Sequence, residues 1–329
     1  METIVITVNP DEPEEEKIGP AADIIKKGGL VAFATETVYG LGADALNPEA
    51  VMKLFEVKRR PTDKPFIIHV AHQDQIYEVV EVNEKAETLI NEFFPGPIAL
   101  IMNKREIVPE ETSAGLEKVA VRMPDNKVAL KLIEMSSPIA APSANLSGRS
   151  SPTTAEHVLD DLDGRIEAVI DSGETRTGIE STVVDTTVEP LEILRPGPIT
   201  PEMIEQVVGE TVLGEATSGN YTHYTPRADL VVVTGNKEKV KEKISQMVFE
   251  YQDQGQRVGI ITIEETSIEA DYSVPVGEDE SSAKKLFSTI RDYDKKDVDV
   301  IVVEGVEEKG IGYAVMNRLR KAAGRIFVV

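Results

Sequence analysis

Apolar and polar positions follow two rhythms along this chain. From Leu230 onward the rhythm is regular. Val/Ile-rich runs at Leu230–Val233, Val258–Ile263, Val298–Val303 and Ile326–Val329 alternate with helical patterns at Lys237–Tyr251, Ala283–Tyr293 and Ala314–Ala322. Over 237–251, Val240, Ile244, Met247, Val248 and Tyr251 recur close to the helical period. Continuous apolar strands separated by amphipathic helices predict a small Rossmann-like parallel sheet of four strands.

Before Leu230 the rhythm is broken into shorter pieces. Residues 1–8 alternate through Ile4, Ile6 and Val8 and predict an exposed or edge strand. Asp11–Lys17, acidic and containing Pro13, reads as a loop, followed by a helix through Ala21–Lys27 that stops at Gly28-Gly29. Leu30–Phe33 is a short buried strand. Asn47-Pro48-Glu49 is a helix start, with a cap, a Pro at the first position and an acid in the first turn. That helix carries Val51, Leu54 and Phe55 on one face and ends in a basic cluster. Further strands are predicted at Phe66–Val70, Ile98–Met102, Val119–Met123, Pro138–Ala141, Ala168–Asp171, Ser181–Asp185 and Leu191–Leu194. Further helices are predicted from Asn83, over Val128–Met135 and Thr153–Leu162, and from Thr200. This mixed order predicts an α/β fold, an open twisted mixed sheet with helices. Between Gly209 and Asp229 the pattern dissolves into Gly, Thr, Ser and Asn, which reads as a linker. The predicted division is therefore 1–208, a linker at 209–229, and a small parallel-sheet domain at 230–329.

Composition narrows the chemistry. Cysteine is absent, which excludes disulfides, a thiolate nucleophile and Cys-based zinc sites. No apolar run approaches a membrane span and the N-terminus lacks a signal-like pattern, so the expected location is the cytoplasm. The net charge of −23 (35 Lys and Arg against 58 Asp and Glu) argues against broad nonspecific nucleic-acid binding. Screening confines distant carboxylates to about 8 Å at physiological salt, so a local basic cleft can still bind an anion.

Against this acidic background Lys58, Arg59, Arg60 and Lys64 are concentrated within a few residues. Two readings stand side by side: a solvated helix end that compensates the dipole, or a receptor for a strongly charged anion such as phosphate. Thr35, Thr37, Ser143, Asn145, Ser147, Ser181 and Thr182 are small polar groups at strand ends or adjoining turns, where open α/β sheets bind ligands. Singly, such residues are also ordinary caps and turn-formers. His69 lies in an apolar strand, where a satisfied core histidine is the plain alternative. No P-loop is present, and Gly40-x-Gly42-x-x-Ala45 imitates a dinucleotide motif without a helix opening on it. No Ser-His-Asp order, paired catalytic carboxylates or metal-ligand spacing stands out, so metal ligands are left unassigned. An enzyme built this way would act by positioning and charge stabilisation of a bound anion.

Seven blocks in order make the chain recognisable. They are Thr35-Glu-Thr-Val-Tyr-Gly-Leu-Gly42, Lys58-x-Arg60-Pro61, Lys64-Pro-Phe-Ile-Ile-His69, Val119-Ala-Val-Arg122-Met-Pro124, Ala141-Pro-Ser-Ala-Asn-Leu-Ser-Gly148, Gly178-Ile-Glu-Ser-Thr-Val183 and Leu194-Arg-Pro-Gly197. Together they closely resemble the threonylcarbamoyl-AMP synthase family (YrdC-like), in its longer two-domain form. The likeness is strong over residues 15–210, and His223-Tyr224-x-Pro226 and the C-terminal domain extend it. It implies that L-threonine, bicarbonate and ATP give threonylcarbamoyl-AMP and pyrophosphate, with Mg²⁺ accompanying ATP. A separate transferase would pass the threonylcarbamoyl group to tRNA next to the anticodon.

Carried over by position, Lys58, Arg60, Ser143 and Asn145 correspond to the family's catalytic tetrad. Lys58 and Arg60 would face the triphosphate and the forming carbamate, solvent-facing before ATP binds. The resemblance places threonine on Thr37, His69, Arg122, Ser143 and Ser181, with Arg122 pairing its carboxylate. ATP would contact Lys58, Arg60, Lys64, Asn145, Thr153, Arg195 and, from a linker that covers the active site, Tyr224. Three features depart from the family: Ala34 replaces a usual Pro, Arg59 a common Gly, and the linker lacks its usual Ser-Pro-Gly start. Two rivals follow from relatives. An RNA-binding module, with direct tRNA contact, is opposed by the charge; a carbamoyl-transfer enzyme of hydrogenase maturation is opposed by the missing cysteines.

Overall fold

Local chemistry builds the helix that ends in the basic cluster. The Asn47 side chain accepts the N–H groups of Glu49 and Ala50, Pro48 takes the first turn, and the helix runs Pro48–Lys58. Its Val51, Leu54 and Phe55 are buried, as the spacing predicts. This computed structural model describes residues 2–214, 226–278 and 281–329. The chain forms two compact units.

The first unit is built on a mixed sheet. Its strands are β1 (Ile4–Thr7), β2 (Val31–Ala34), β3 (Tyr39–Asp44), β4 (Ile67–His69), β5 (Val80–Glu81), β6 (Ile98–Lys104), β7 (Lys118–Arg122), β8 (Ile139–Ala140), β9 (Ala168–Asp171), β10 (Thr182–Asp185), β11 (Leu191–Arg195) and β12 (Thr211–Leu213). Their order is β1-β9-β2-β3-β8-β4-β7-β6-β10-β11-β12, with β5 on β6. Parallel and antiparallel pairs alternate irregularly, so the expected mixed α/β sheet is what forms. Alternation along β2 sends Val31 and Phe33 into one apolar cluster and Ala32 and Ala34 into another, one on each face. Helices cover both faces.

Several elements differ from expectation. The first helix begins at Glu15 rather than Ala21 and passes through Pro20. Burial of Ile18 beside Ala21, Ala22 and Ile25 outweighs the missing Pro20 N–H, and Glu15 and Glu16 suit the positive helix end. Tyr39–Asp44, unassigned from sequence, is the buried strand β3, so the Gly40-x-Gly42 imitation lies within a strand. Gly42 is there for space: a Cβ would stand 2.8 Å from Ile139 Cγ2 and 2.9 Å from Phe33 Cε1. Helices Gln73–Val79 and Glu110–Ser113 were also missed. In the expected linker, Thr211–Leu213 forms β12 against β11, while residues 215–225 lie outside the described residues.

The second unit is a parallel sheet of five strands: β13 (Asp229–Thr234), β14 (Val258–Thr262), β15 (Tyr272–Pro275), β16 (Val300–Glu304) and β17 (Arg325–Val328). Their order is β15-β14-β16-β13-β17, with every pair parallel. The extra strand β15 lies at an edge, where few apolar residues and a terminal Pro275 are tolerated. Leu230, Ile261 and Ile301 serve one buried cluster and Val231, Ile260 and Val302 another, so both faces of this sheet are covered. Among the described residues no helix is long and apolar enough to cross a membrane.

Gly42→Ala is expected to destabilise the first unit by about 1–3 kcal/mol through overpacking. Chemical denaturation checks this; an unchanged midpoint would mean that Phe33 and Ile139 move aside without cost.

Candidate active site

The turn between β2 and β3 is held by its own hydroxyls. Thr35 Oγ1 accepts the N–H groups of Thr37 and Val38 and donates to Val38 O at 2.7 Å. Thr37 Oγ1 lies 2.7 Å from Thr35 Oγ1, which fixes the second hydroxyl through the first. The turn meets Arg122 at the end of β7. Arg122 Nη2 donates to Thr37 Oγ1 at 3.0 Å and pairs with Glu36 Oε1 at 2.7 Å, while Nε donates to Gly96 O at 3.2 Å. Glu36 is 3% exposed and Arg122 4%, so this is a buried ion pair. Such a pair is costly unless hydrogen bonds complete it, and the Thr37 and Gly96 contacts do so on the guanidinium side.

His69 stands directly beside Arg122, because β4 and β7 pair in parallel with these two residues in register. Burial, reinforced by the Arg122 charge, pushes the imidazole down to about 3; the carbonyls of Ile67 and Ile139 oppose that, and Arg195 adds to it. His69 is thus a neutral imidazole, with Nδ1 3.2 Å from Ile67 O. Arg195, on β11, donates from Nε to Ser181 O at 2.8 Å and from Nη2 to Ser181 Oγ at 2.9 Å. The residues expected to hold threonine and those expected to hold ATP therefore meet at Ser181.

The basic cluster resolves into separate environments. Arg59 is the helix C-cap with a left-handed φ of 51°, a conformation that glycine adopts most cheaply, which explains the family's usual Gly there. Lys58 is not solvent-facing, contrary to expectation. It is 2% exposed, and its ammonium donates to Ser143 O and, at 2.5 Å, to Asn145 O. Desolvation, then the Arg60 charge, pushes it down to about 7, against the pull of Asp161. Arg60 lies over the Phe66 ring at 5.2 Å and donates to Pro65 O at 3.4 Å. Lys64 is also buried, and desolvation and Arg60 lower its pKa.

Ser143 and Asn145 come to Lys58 by continuing the sheet. Gly40 bridges Ser143, Leu41 N–H donates to Pro142 O at 2.8 Å, and Ala144 N–H to Tyr39 O at 2.8 Å. Strand β3 therefore links the Thr35–Thr37 turn to the Ser143–Asn145 segment. Thr153 is tied in nearby: Tyr39 N–H donates to Pro152 O at 2.8 Å and Thr175 N–H to Thr153 O at 2.9 Å. Every expected site residue except Tyr224 belongs to this connected region; Tyr224, with Tyr221 and His223, lies outside the described residues.

Sequence reasoning missed Glu36 and Asp161. Glu36 sits inside the first block, a charge flanked by residues bound for the interior. Asp161 interrupts the apolar face of the helix Ala155–Leu162, where Ala155, Val158 and Leu162 are also buried. Among the described residues no group of three or more His, Asp or Glu is placed to hold a metal ion.

Two families cover nearly all of the chain. One, described as telomere recombination, matches residues 23–197; the other, the C-terminal domain of threonylcarbamoyl-AMP synthase, matches residues 199–324. The threonylcarbamoyl-AMP synthase of Pyrococcus abyssi is 49% identical over 98% of both chains, and that of Bacillus subtilis is 44% identical over 94% of both. The crystal structure of Pyrococcus abyssi Sua5 complexed with L-threonine matches at a TM-score of 0.95 and 48% identity, covering 99% of this chain and 100% of that one. This fold, an α/β mixed sheet followed by a parallel-sheet unit, is that of a two-domain Sua5-type protein, and the chain belongs to the threonylcarbamoyl-AMP synthase family.

The buried Lys58 gives a stability signature. In the unfolded chain its ordinary value is 10.5, and in the folded one about 7. Between these values the unfolded chain binds the extra proton, so this group's stability is full above the upper value and is lost as pH falls to the lower. Lys58→Met is expected to remove that loss. Its melting temperature relative to the parent should rise between pH 9.5 and pH 6.5, by the equivalent of a few kcal/mol.

Proposed function

We propose that this chain condenses L-threonine, bicarbonate and ATP into threonylcarbamoyl-AMP and pyrophosphate. One observation carries the reading: in a chain that matches synthases over nearly its whole length, a lysine ammonium is sequestered on the Ser143 and Asn145 carbonyls, with Arg60 close enough to depress its pKa. Burying cations together costs free energy unless an anion offsets them.

Threonine binds with its carboxylate on Arg122. Nε donates to Gly96 and Nη2 to Thr37 while Nη2 also pairs with Glu36, and Nη1 offers donors for the carboxylate. Neutral His69, Thr37, Ser143 and Ser181 surround the rest of the amino acid. The amine takes up CO₂ with loss of a proton, or bicarbonate with loss of water, and a carbamate oxygen attacks the α-phosphorus as pyrophosphate leaves. Lys58, Arg60 and Lys64 stabilise the charge that moves onto the phosphates, by positioning rather than covalent participation. An ammonium has three N–H donors and two meet carbonyls, so Lys58 keeps one for an oxyanion. Asn145, Thr153 and Arg195 complete the nucleotide site, and Tyr224, which lies outside the described residues, is assigned to it by family resemblance alone. Mg²⁺ would travel with ATP on phosphate oxygens and water, since among the described residues no group of three or more His, Asp or Glu is placed to hold it.

The product is a mixed anhydride, which calls for an acceptor. A separate transferase takes the threonylcarbamoyl group to the adenosine next to the tRNA anticodon, in the cytoplasm. Direct tRNA binding by this chain is at most weak, given its net charge of −23.

Pyrophosphate release from ATP is expected to require both L-threonine and bicarbonate when each amino acid is tried in turn. Release with neither, or none at all, would overturn the reading. Lys58→Ala and Arg60→Ala are each expected to lower turnover by at least about 100-fold, the scale of one lost transition-state contact, while near-native circular dichroism is retained.

A further inference from the structure

Asp161 stands where a carboxylate is expensive. It lies one residue from the C-terminal end of the helix Ala155–Leu162 and is 4% exposed. The helix dipole disfavours an anion at that end, and desolvation adds to the cost. What the position provides is a hold on the segment around Lys58. Asp161 Oδ2 accepts Leu146 N–H at 3.2 Å. The preceding residue, Asn145, gives its carbonyl to Lys58 Nζ at 2.5 Å, and the following one, Ser147, donates its N–H to Lys58 O at 3.0 Å. The segment thus closes on Lys58 through both its side chain and its main chain, and Asp161 grips the middle of it.

Charge points the same way. Around the Lys58 ammonium, Arg60 favours the neutral amine and Asp161 the cation. We propose that Asp161 is a positioning residue for the reaction, seating the Asn145–Ser147 segment on Lys58 and acting as the counter-charge that keeps Lys58 cationic for the triphosphate. The proposal rests on Lys58 as a phosphate-facing group.

The test is the pH profile of kcat/KM for ATP, read as pyrophosphate release between pH 6 and 9. Asp161→Asn keeps an oxygen for Leu146 N–H and removes the charge. Its descending limb should move to lower pH by about one unit, giving a roughly tenfold loss at pH 8 and little loss at pH 6, since each unit of pKa is a factor of ten. A role confined to folding lowers activity by the same factor at every pH, and a profile parallel to the parent's overturns the proposal. Asp161→Ser, a smaller neutral acceptor, takes its place if the Asn variant does not fold. Lys58→Met separates the two failures. If it keeps normal turnover, the phosphate role of Lys58 is wrong; if it is inactive while the Asp161 variants keep the parent limb, only the role of Asp161 is wrong.

Discussion

An ammonium group held away from water on two main-chain carbonyls is the constraint around which the site is arranged. Two neutral carbonyl oxygens accept hydrogen bonds from Lys58 but cannot cancel its charge. Arg60 makes the imbalance worse and Asp161 makes it smaller. Desolvation makes each of these electrostatic contacts count for more than it would in water. The acidic exterior does not contradict this, because screening isolates an interior cation from distant carboxylates.

Arg122 solves the same problem differently. Its counter-ion is built in as Glu36, two carbons of side chain away from a turn whose hydroxyls lock one another. A built-in partner keeps the guanidinium aimed, with the Thr37 hydroxyl as its second anchor. Preorganisation of this kind lowers the ordering cost of binding.

Much of this was legible in the chain. Strands with strong Val and Ile content, and helices with a clear cap such as Asn47 or Asn83, formed where their patterns indicated. Strand β3 was not legible, because Tyr-Gly-Leu-Gly reads as a turn and Gly42 is there for close approach to Phe33 and Ile139, which lie elsewhere in sequence. The first helix hid its start behind two prolines and a run of acids. At the site, residue types pointed to anion chemistry, and the family resemblance named the positions. Burial of Lys58 was beyond both, since it depends on carbonyls that arrive from 85 and 87 residues away. Asp161 left a trace, an acid on an apolar stripe, whose meaning needed Leu146 beside it.

The parallel register of β4 and β7 has an evolutionary consequence. With His69 opposite Arg122, the two side chains are spaced by the ladder itself, and shifting either strand by one residue would turn its partner to the other face. Insertions and deletions are therefore barred from these strands, whereas the chain between them can lengthen or shorten freely at its surface loops. Descendants of this protein can exchange the side chains at these two stations, but not their spacing. A spacing written into strand register is slow to change.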